Sequence, residues 1–312
     1  MSNANLCYDL QEYIAKVKMS SKLRLLVEGR DDKTHITNLL RTLDKSVVRI
    51  DTAEQIKGDC KKTSKNNRAK IDKIFSKCGC DESYNNLYYL CDREFFRFKV
   101  RDRIIDELSV SDFVHNLCWT SGHSMENYFL DASVITDSYR FLCNSEYKWG
   151  AIDLFESLLP SIFKLVASIS LAAKQLELSS YPMGVFQWDD FKIDGTNIII
   201  DSENSNHRDI ETFINFIQCV KHYEIVSEKS PIEVCTKICR GHTAMVLLQR
   251  IFSKCLYTEA SKTESNETAI RIAKSFSSIK ESQLASCLGE SWARHVSNGN
   301  TEYPKALIDS IA

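Results

Sequence analysis

Two stretches place carboxylates where apolar runs stop. In LLVEGRDDKTHITNLL (residues 25–40), an apolar run ends at Glu28 and is followed by Gly29, Arg30, Asp31 and Asp32. In NNLYYLCD (85–92), the run ends at Asp92, and Glu94 follows two residues later. Carboxylates gathered in a small volume repel one another and raise each other's pKa values. A hard divalent cation removes that repulsion. Magnesium favours an octahedral oxygen shell and accepts one or two carboxylates together with waters and phosphate oxygens. Such a site suits hydrolysis or transfer at a phosphodiester, with the metal stabilising charge and activating water. Mg2+ or Mn2+ is therefore the expected cofactor, with Glu28, Asp92 and Glu94 as candidate ligands.

The elements that must position these groups are short strands and helices. KLRLLVE (22–28) predicts a buried strand. Asp31 or Asp32 can cap the helix that follows, which runs to about Leu43 because Ile36, Leu39, Leu40 and Leu43 share a face. VVRIDT (47–52), NNLYYLCD (85–92) and FVHNLCWT (113–120) predict three more strands, with a helix over 67–77 burying Ile71, Ile74 and Phe75. Strands alternating with helices predict an α/β fold with a mostly parallel sheet flanked by helices. Chemistry in such sheets gathers at the carboxyl ends of the strands. Glu28 and Asp92 then project at one edge, and Asp32 points back toward it from the first helical turn. Glu94 shares the face of Asp92 if the chain stays extended. A single acid after a strand also reads as a helix cap or a solvated loop residue, and Asp31 alone fits that reading. Two strands ending the same way fit it less well.

After about residue 135 the pattern turns helical, in segments beginning SLLPSIFKLV (157), HRDIETF (207) and HTAMVLL (242). VFQWDDFKIDGTNIII (185–200) predicts a hairpin turning at Asp194-Gly195. Two domains result: residues 1–135 carrying the sheet and residues 136–312 mainly helical. Gly totals 10 and Pro 4, and so few breakers predict long helices.

Residues 57–77, KGDCKKTSKNNRAKIDKIFSK, hold eight basic side chains against Asp59 and Asp72, a local net of +6 in a chain of net charge −2. With no global cationic field, any nucleic-acid contact must be local. Lys61, Lys62, Lys65 and Arg68 are candidates for sequence-independent phosphate contacts; Lys73 and Lys77 read as a solvated helix face. REFFRFKVRDR (93–103) either flanks the acidic edge or packs Phe95, Phe96 and Phe98 inward.

Twelve cysteines, ten of them scattered singly, with no secretory-type N-terminus, predict reduced thiols in the cytoplasm. Cys235, Cys239 and His242 lack the second close pair that structural zinc needs. No apolar run reaches the roughly 18–20 residues that span a bilayer, so no membrane contact is expected. No Walker A motif is present, so nucleotide-driven regulation would need a separate protein.

LLVEGRDD followed by YYLCDRE resembles the Toprim domain, with its glutamate after the first strand and acidic pair after the third. WTSGHSMENYFLD (119–131) is similar to the Ser-Ile/Met-Glu-Asn-Tyr block of the DUF4435 family, which is Toprim-like and related to the OLD nucleases. Arg240-Gly241-His242 resembles that family's C-terminal element. The resemblance implies that Glu28 is a general acid/base and Asp92 a metal ligand, with Glu94 in place of the second aspartate. It further implies catalytic roles for Asp32 and Glu126 and a substrate-binding role for Arg240. It points to the toxic effectors of PARIS-type anti-phage systems: homodimers, once released from an ABC-type ATPase (AriA-like), that cleave tRNA. An OLD-like DNA nuclease and a non-catalytic module bound to the ATPase remain as alternatives.

Overall fold

Arg24–Val27 (β1) is buried at every position, as a parallel strand covered on both faces requires. In the computed structural model, which describes residues 8–45, 48–108, 113–201 and 209–311, β1 pairs in parallel with Arg49–Thr52 (β2) on one side and Leu87–Cys91 (β3) on the other. β3 pairs in parallel with Leu117–Trp119 (β4), giving the order β2-β1-β3-β4. The fold is α/β, as expected. Each strand is shorter than its apolar run predicts, and β1 and β3 stop one residue before Glu28 and Asp92. Val47, the first residue of the predicted second strand, lies outside the described residues.

Strand order reverses between β1 and β3. The chain goes from β1 to β2 on one flank, then crosses to β3 on the other. That is the topological switch point at which an open α/β sheet forms a crevice beyond its carboxyl ends.

Helices cover both faces. Leu26, Tyr89 and Cys91 pack with Tyr13 and Val17 of Leu10–Lys18 (α1) and with Ile71 and Ile74 of Asn67–Cys78 (α3). Against β1 and β2 lies Arg30–Thr42 (α2), with Ile36, Leu39 and Leu40 fully buried. Burial of each of these aliphatic side chains stabilises by about 1.5–3 kcal/mol. α1 is fixed at its start by reciprocal Asp9 and Glu12 bonds, both 2.8 Å. α3 is fixed by Asn66 accepting from the Ala69 amide at 2.9 Å. At α2 the expectation needs correcting: Gly29 is the N-cap, and Asp31 and Asp32 lie inside the first turn.

The chain divides into two compact units, one made of residues 1–93, 108–125 and 293–312 and the other of 94–107 and 126–292. This differs from one cut near 135, because two segments pair with distant partners. Phe98–Val100 and Ile104–Asp106 form a hairpin of the second unit, where the Ile104 amide donates to Ser230 Oγ at 2.8 Å. The final helix Lys305–Ile311 buries Leu307, Ile308 and Ile311, and its Asp309 meets Lys45 at 3.2 Å in the first unit.

The second unit is mainly helical and is built around Lys148–Gln175 (α4). This helix packs against Ile210–Glu228 (α5), Ile232–Ile238 (α6) and Gly241–Ala260 (α7). Tyr139, Phe155, Phe252 and Phe276 form its aromatic centre, with ring centroids 4.7–5.6 Å apart. α4 corrects the expectation about apolar length. It is long and apolar enough to cross a membrane by composition, and 67% of its most apolar window is buried by protein. Such burial is the signature of a core helix. The predicted hairpin forms from Phe191–Asp194 and Asn197–Ile200. Asp194 pairs with Asn197, so the turn is Gly195-Thr196, and Gly195 takes the left-handed φ of 58° that such a turn favours.

Candidate active site at the strand ends

β1 and β3 deliver Glu28 and Asp92 side by side at the switch point. The Asp92 amide donates to Glu28 Oε1 at 3.1 Å, and the Met125 amide donates to Asp92 Oδ1 at 3.1 Å. Asp32 Oδ2 accepts from the Gly29 amide at 2.8 Å. It therefore points back over the start of α2, toward the residue after Glu28. The three carboxylates expected at one edge of the first unit are thus fixed by main-chain amides at that edge.

Arg68, in the first turn of α3, closes this corner. Its Nε donates to Asp72 Oδ1 at 2.8 Å, and its Nη1 donates to the Asp92 carbonyl at 2.7 Å. The same Nη1 lies 4.0 Å from Glu28 Oε1, and Arg68 and Glu28 are each 18% exposed. The guanidinium stacks on Trp119 at 3.8 Å from the ring centre. Beneath the corner, burial pushes the Cys91 thiol well up, and the negative charges of Glu28, Asp72 and Asp92 add to that, opposed by Arg68. Cys91 is fully buried and packs as part of the core.

Glu28 and Asp92 offer the hard oxygen donors that a magnesium-type ion takes, and two carboxylates with waters suffice for it. The donor chemistry fits. Among the described residues, no group of three or more His, Cys, Asp or Glu side chains has metal-holding geometry.

Glu94 departs from its expected geometry. It sits in a turn with φ of 51°, so the chain does not stay extended past Asp92. It belongs to the second unit, where its charge favours the cationic form of half-buried Arg240, against the desolvation that lowers the guanidinium pKa. Phe98 is buried and Phe96 is 47% exposed, while Lys174 lies 4.2 Å over the Phe95 ring.

In the second unit, Glu126 and its neighbour form a joint with residues 236–242. Asn127 Nδ2 reaches the carbonyls of Thr236, Lys237 and Cys239 at 2.9, 3.2 and 3.0 Å, tying down the carboxyl end of α6. Glu126 Oε1 lies 3.1 Å from His242 Nε2, and His242 Nδ1 lies 2.5 Å from Glu281 Oε1. The two short motifs, SMENY and Arg240-Gly241-His242, therefore meet as packing partners. Cys235 and Cys239 are fully buried, with burial pushing the Cys235 thiol up to about 12.

The basic segment is partly consumed by structure. Asp59 pairs with Lys73 at 2.6 Å, and buried Lys70 donates to the Ala53 carbonyl at 2.9 Å. Lys61, Lys62 and Lys65 are exposed on a short helix, Lys61–Lys65, where a loop was expected. Arg68 is largely buried in the acidic corner, held by Asp72, the Asp92 carbonyl and Trp119.

Sequence reasoning assigned no site role of their own to Trp119, Asp72 and His242. The i, i+4 spacing of Arg68 and Asp72 was a legible signal, whereas Trp119 carried none. In comparisons with known proteins, no family model matches the chain and no curated protein matches it.

Proposed function

We propose that the chain is a metal-dependent phosphodiesterase of the Toprim type, with Glu28 and Asp92 as its centre. The observation that carries this reading is the hydrogen-bonded pair at the switch point, formed by the strand-end acids of β1 and β3. Asp92 fixes one oxygen of Glu28 and leaves the glutamate placed to hold or take a proton at the strand ends. Mg2+ or Mn2+ bound by the pair would stabilise phosphate charge and activate water. Lys61, Lys62 and Lys65 bind the polymer backbone. The resemblance adds Asp32, Glu94, Glu126 and Arg240 as site residues. It also adds the biological setting: a cytoplasmic, homodimeric anti-phage effector that cleaves tRNA, or alternatively DNA, after release from an ABC-type ATPase.

A non-catalytic module that binds an ATPase is the second reading. It is favoured by Glu94, which lies in a left-handed turn with its charge directed to Arg240, and by the arginine already seated beside Glu28. One experiment separates them. The chain and its Glu28→Gln variant are expressed in bacteria, growth is followed, and the ends of cellular RNA and DNA are sequenced. The enzyme reading expects new ends and arrested growth with the wild-type chain only. Identical ends and growth in both strains would leave the binding module.

A further inference from the structure

We infer that Arg68 is a positioning residue that sets the cation affinity of the acidic corner: its guanidinium stands beside Glu28 as the resident counter-charge and opposes entry of a divalent ion. The inference rests on the metal-dependent reading above and deepens it.

Two carboxylates held at neighbouring strand ends need compensation, and a guanidinium supplies it permanently. The anchors of Arg68 are independent of Glu28. Asp72 holds Nε at 2.8 Å, the Asp92 carbonyl holds Nη1 at 2.7 Å, and Trp119 supports the flat face at 3.8 Å. The approach to Glu28 is the longest of these at 4.0 Å, too long for a hydrogen bond. The geometry is therefore not an ion pair that locks the glutamate. It is a cation fixed by other groups at a distance that offsets charge without a direct hydrogen bond to the carboxylate. An arriving divalent ion meets that fixed positive charge. It must displace the guanidinium from Trp119 or bind against it, and like charges a few ångströms apart in a partly buried site cost affinity.

Terbium(III), a hard oxygen-seeking probe whose emission is sensitised by a nearby indole, reports binding without any activity. The full chain is titrated with terbium, and then with Mg2+ in competition, for the wild type, Arg68→Met, Arg68→Lys, Glu28→Gln and Trp119→Phe. Methionine keeps an unbranched apolar side chain over Trp119, and circular dichroism checks that each variant is folded. The expected result is about tenfold tighter binding in Arg68→Met, wild-type-like binding in Arg68→Lys, loss in Glu28→Gln and dimmed emission in Trp119→Phe. Glu28-dependent binding that is equal or weaker in folded Arg68→Met overturns the inference and leaves the metal reading standing. Absence of binding in both the wild type and Arg68→Met, or binding indifferent to Glu28→Gln, overturns both.

Discussion

The Asp92 amide donates to Glu28 Oε1 at 3.1 Å across two neighbouring parallel strands. This bond ties the position of the glutamate to the register of β1 and β3 rather than to a flexible loop. Glutamine preserves an oxygen that can accept it, whereas alanine leaves the Asp92 amide without this acceptor. Glu28→Gln is therefore expected to melt within about 0.5 kcal/mol of the wild type, and Glu28→Ala to lose about 1–2 kcal/mol. Denaturant titration of both variants checks this. Equal stability in both would show that water replaces the acceptor at no cost.

Asn127 offers a sharper stability test. One side-chain amide serves three carbonyls around the end of α6, and the residue is buried. Asn127→Ala is expected to cost about 1–3 kcal/mol. Asn127→Asp is expected to cost more, because a carboxylate presents only acceptors to those carbonyls. If the aspartate variant is as stable as the wild type by calorimetry, the bonds are not what holds the motif.

Much of the corner was legible in the sequence for one physical reason. A strand buried on both faces must be apolar, so the acid that ends the run marks the strand's carboxyl end. Glu28 and Asp92 could be placed that way, and so could the buried faces of α2 and α3. What depended on non-local packing could not. Arg68 finds the Asp92 carbonyl 24 residues away, and residues 94–107 fold with Ser230. Nothing in REFFRFKVRDR distinguishes a helix-packed hairpin from a loop at the acidic edge. Glu94 failed for a different reason: two-residue spacing implies a shared face only in extended chain, and the turn after Asp92 removes that condition.

The φ of 51° at Glu94 carries its own prediction. A side chain in the left-handed region costs about 1–2 kcal/mol, a cost glycine avoids. Glycine's larger unfolded-state entropy offsets part of the gain. Glu94→Gly is expected to stabilise the protein by about 0.5–1 kcal/mol in denaturant titration. Destabilisation would show that the attraction to Arg240 outweighs the strain.

Glu224 on α5 gives a pH test. Burial raises its pKa, with Lys221 opposing and Glu228 adding. A raised folded pKa means that its contribution is fully present below the unfolded value of about 4.3 and is lost as pH rises through the folded value. Glu224→Gln is therefore expected to raise the melting temperature at pH 7 and leave it unchanged near pH 4. A variant that gains nothing at pH 7 would show that solvent already screens the charge.

Cys60 turns the basic segment into its own reporter. The thiol is exposed, lies 3.3 Å from the Thr63 hydroxyl and is followed in sequence by Lys61 and Lys62. Its pKa is lowered, chiefly by the Thr63 side-chain hydrogen bond, so more of it is nucleophilic thiolate at neutral pH. Iodoacetamide is expected to label Cys60 ahead of exposed Cys80 at pH 7, and Thr63→Val is expected to slow that labelling and move its pH midpoint upward. If Lys61, Lys62 and Lys65 grip a phosphate backbone, added tRNA protects Cys60 at low salt and protection fades as salt rises. Reversal of the three lysines to glutamate removes the protection while circular dichroism stays unchanged. Labelling of Cys60 that ignores both nucleic acid and salt would place the polymer elsewhere on the protein and leave these lysines as a solvated surface.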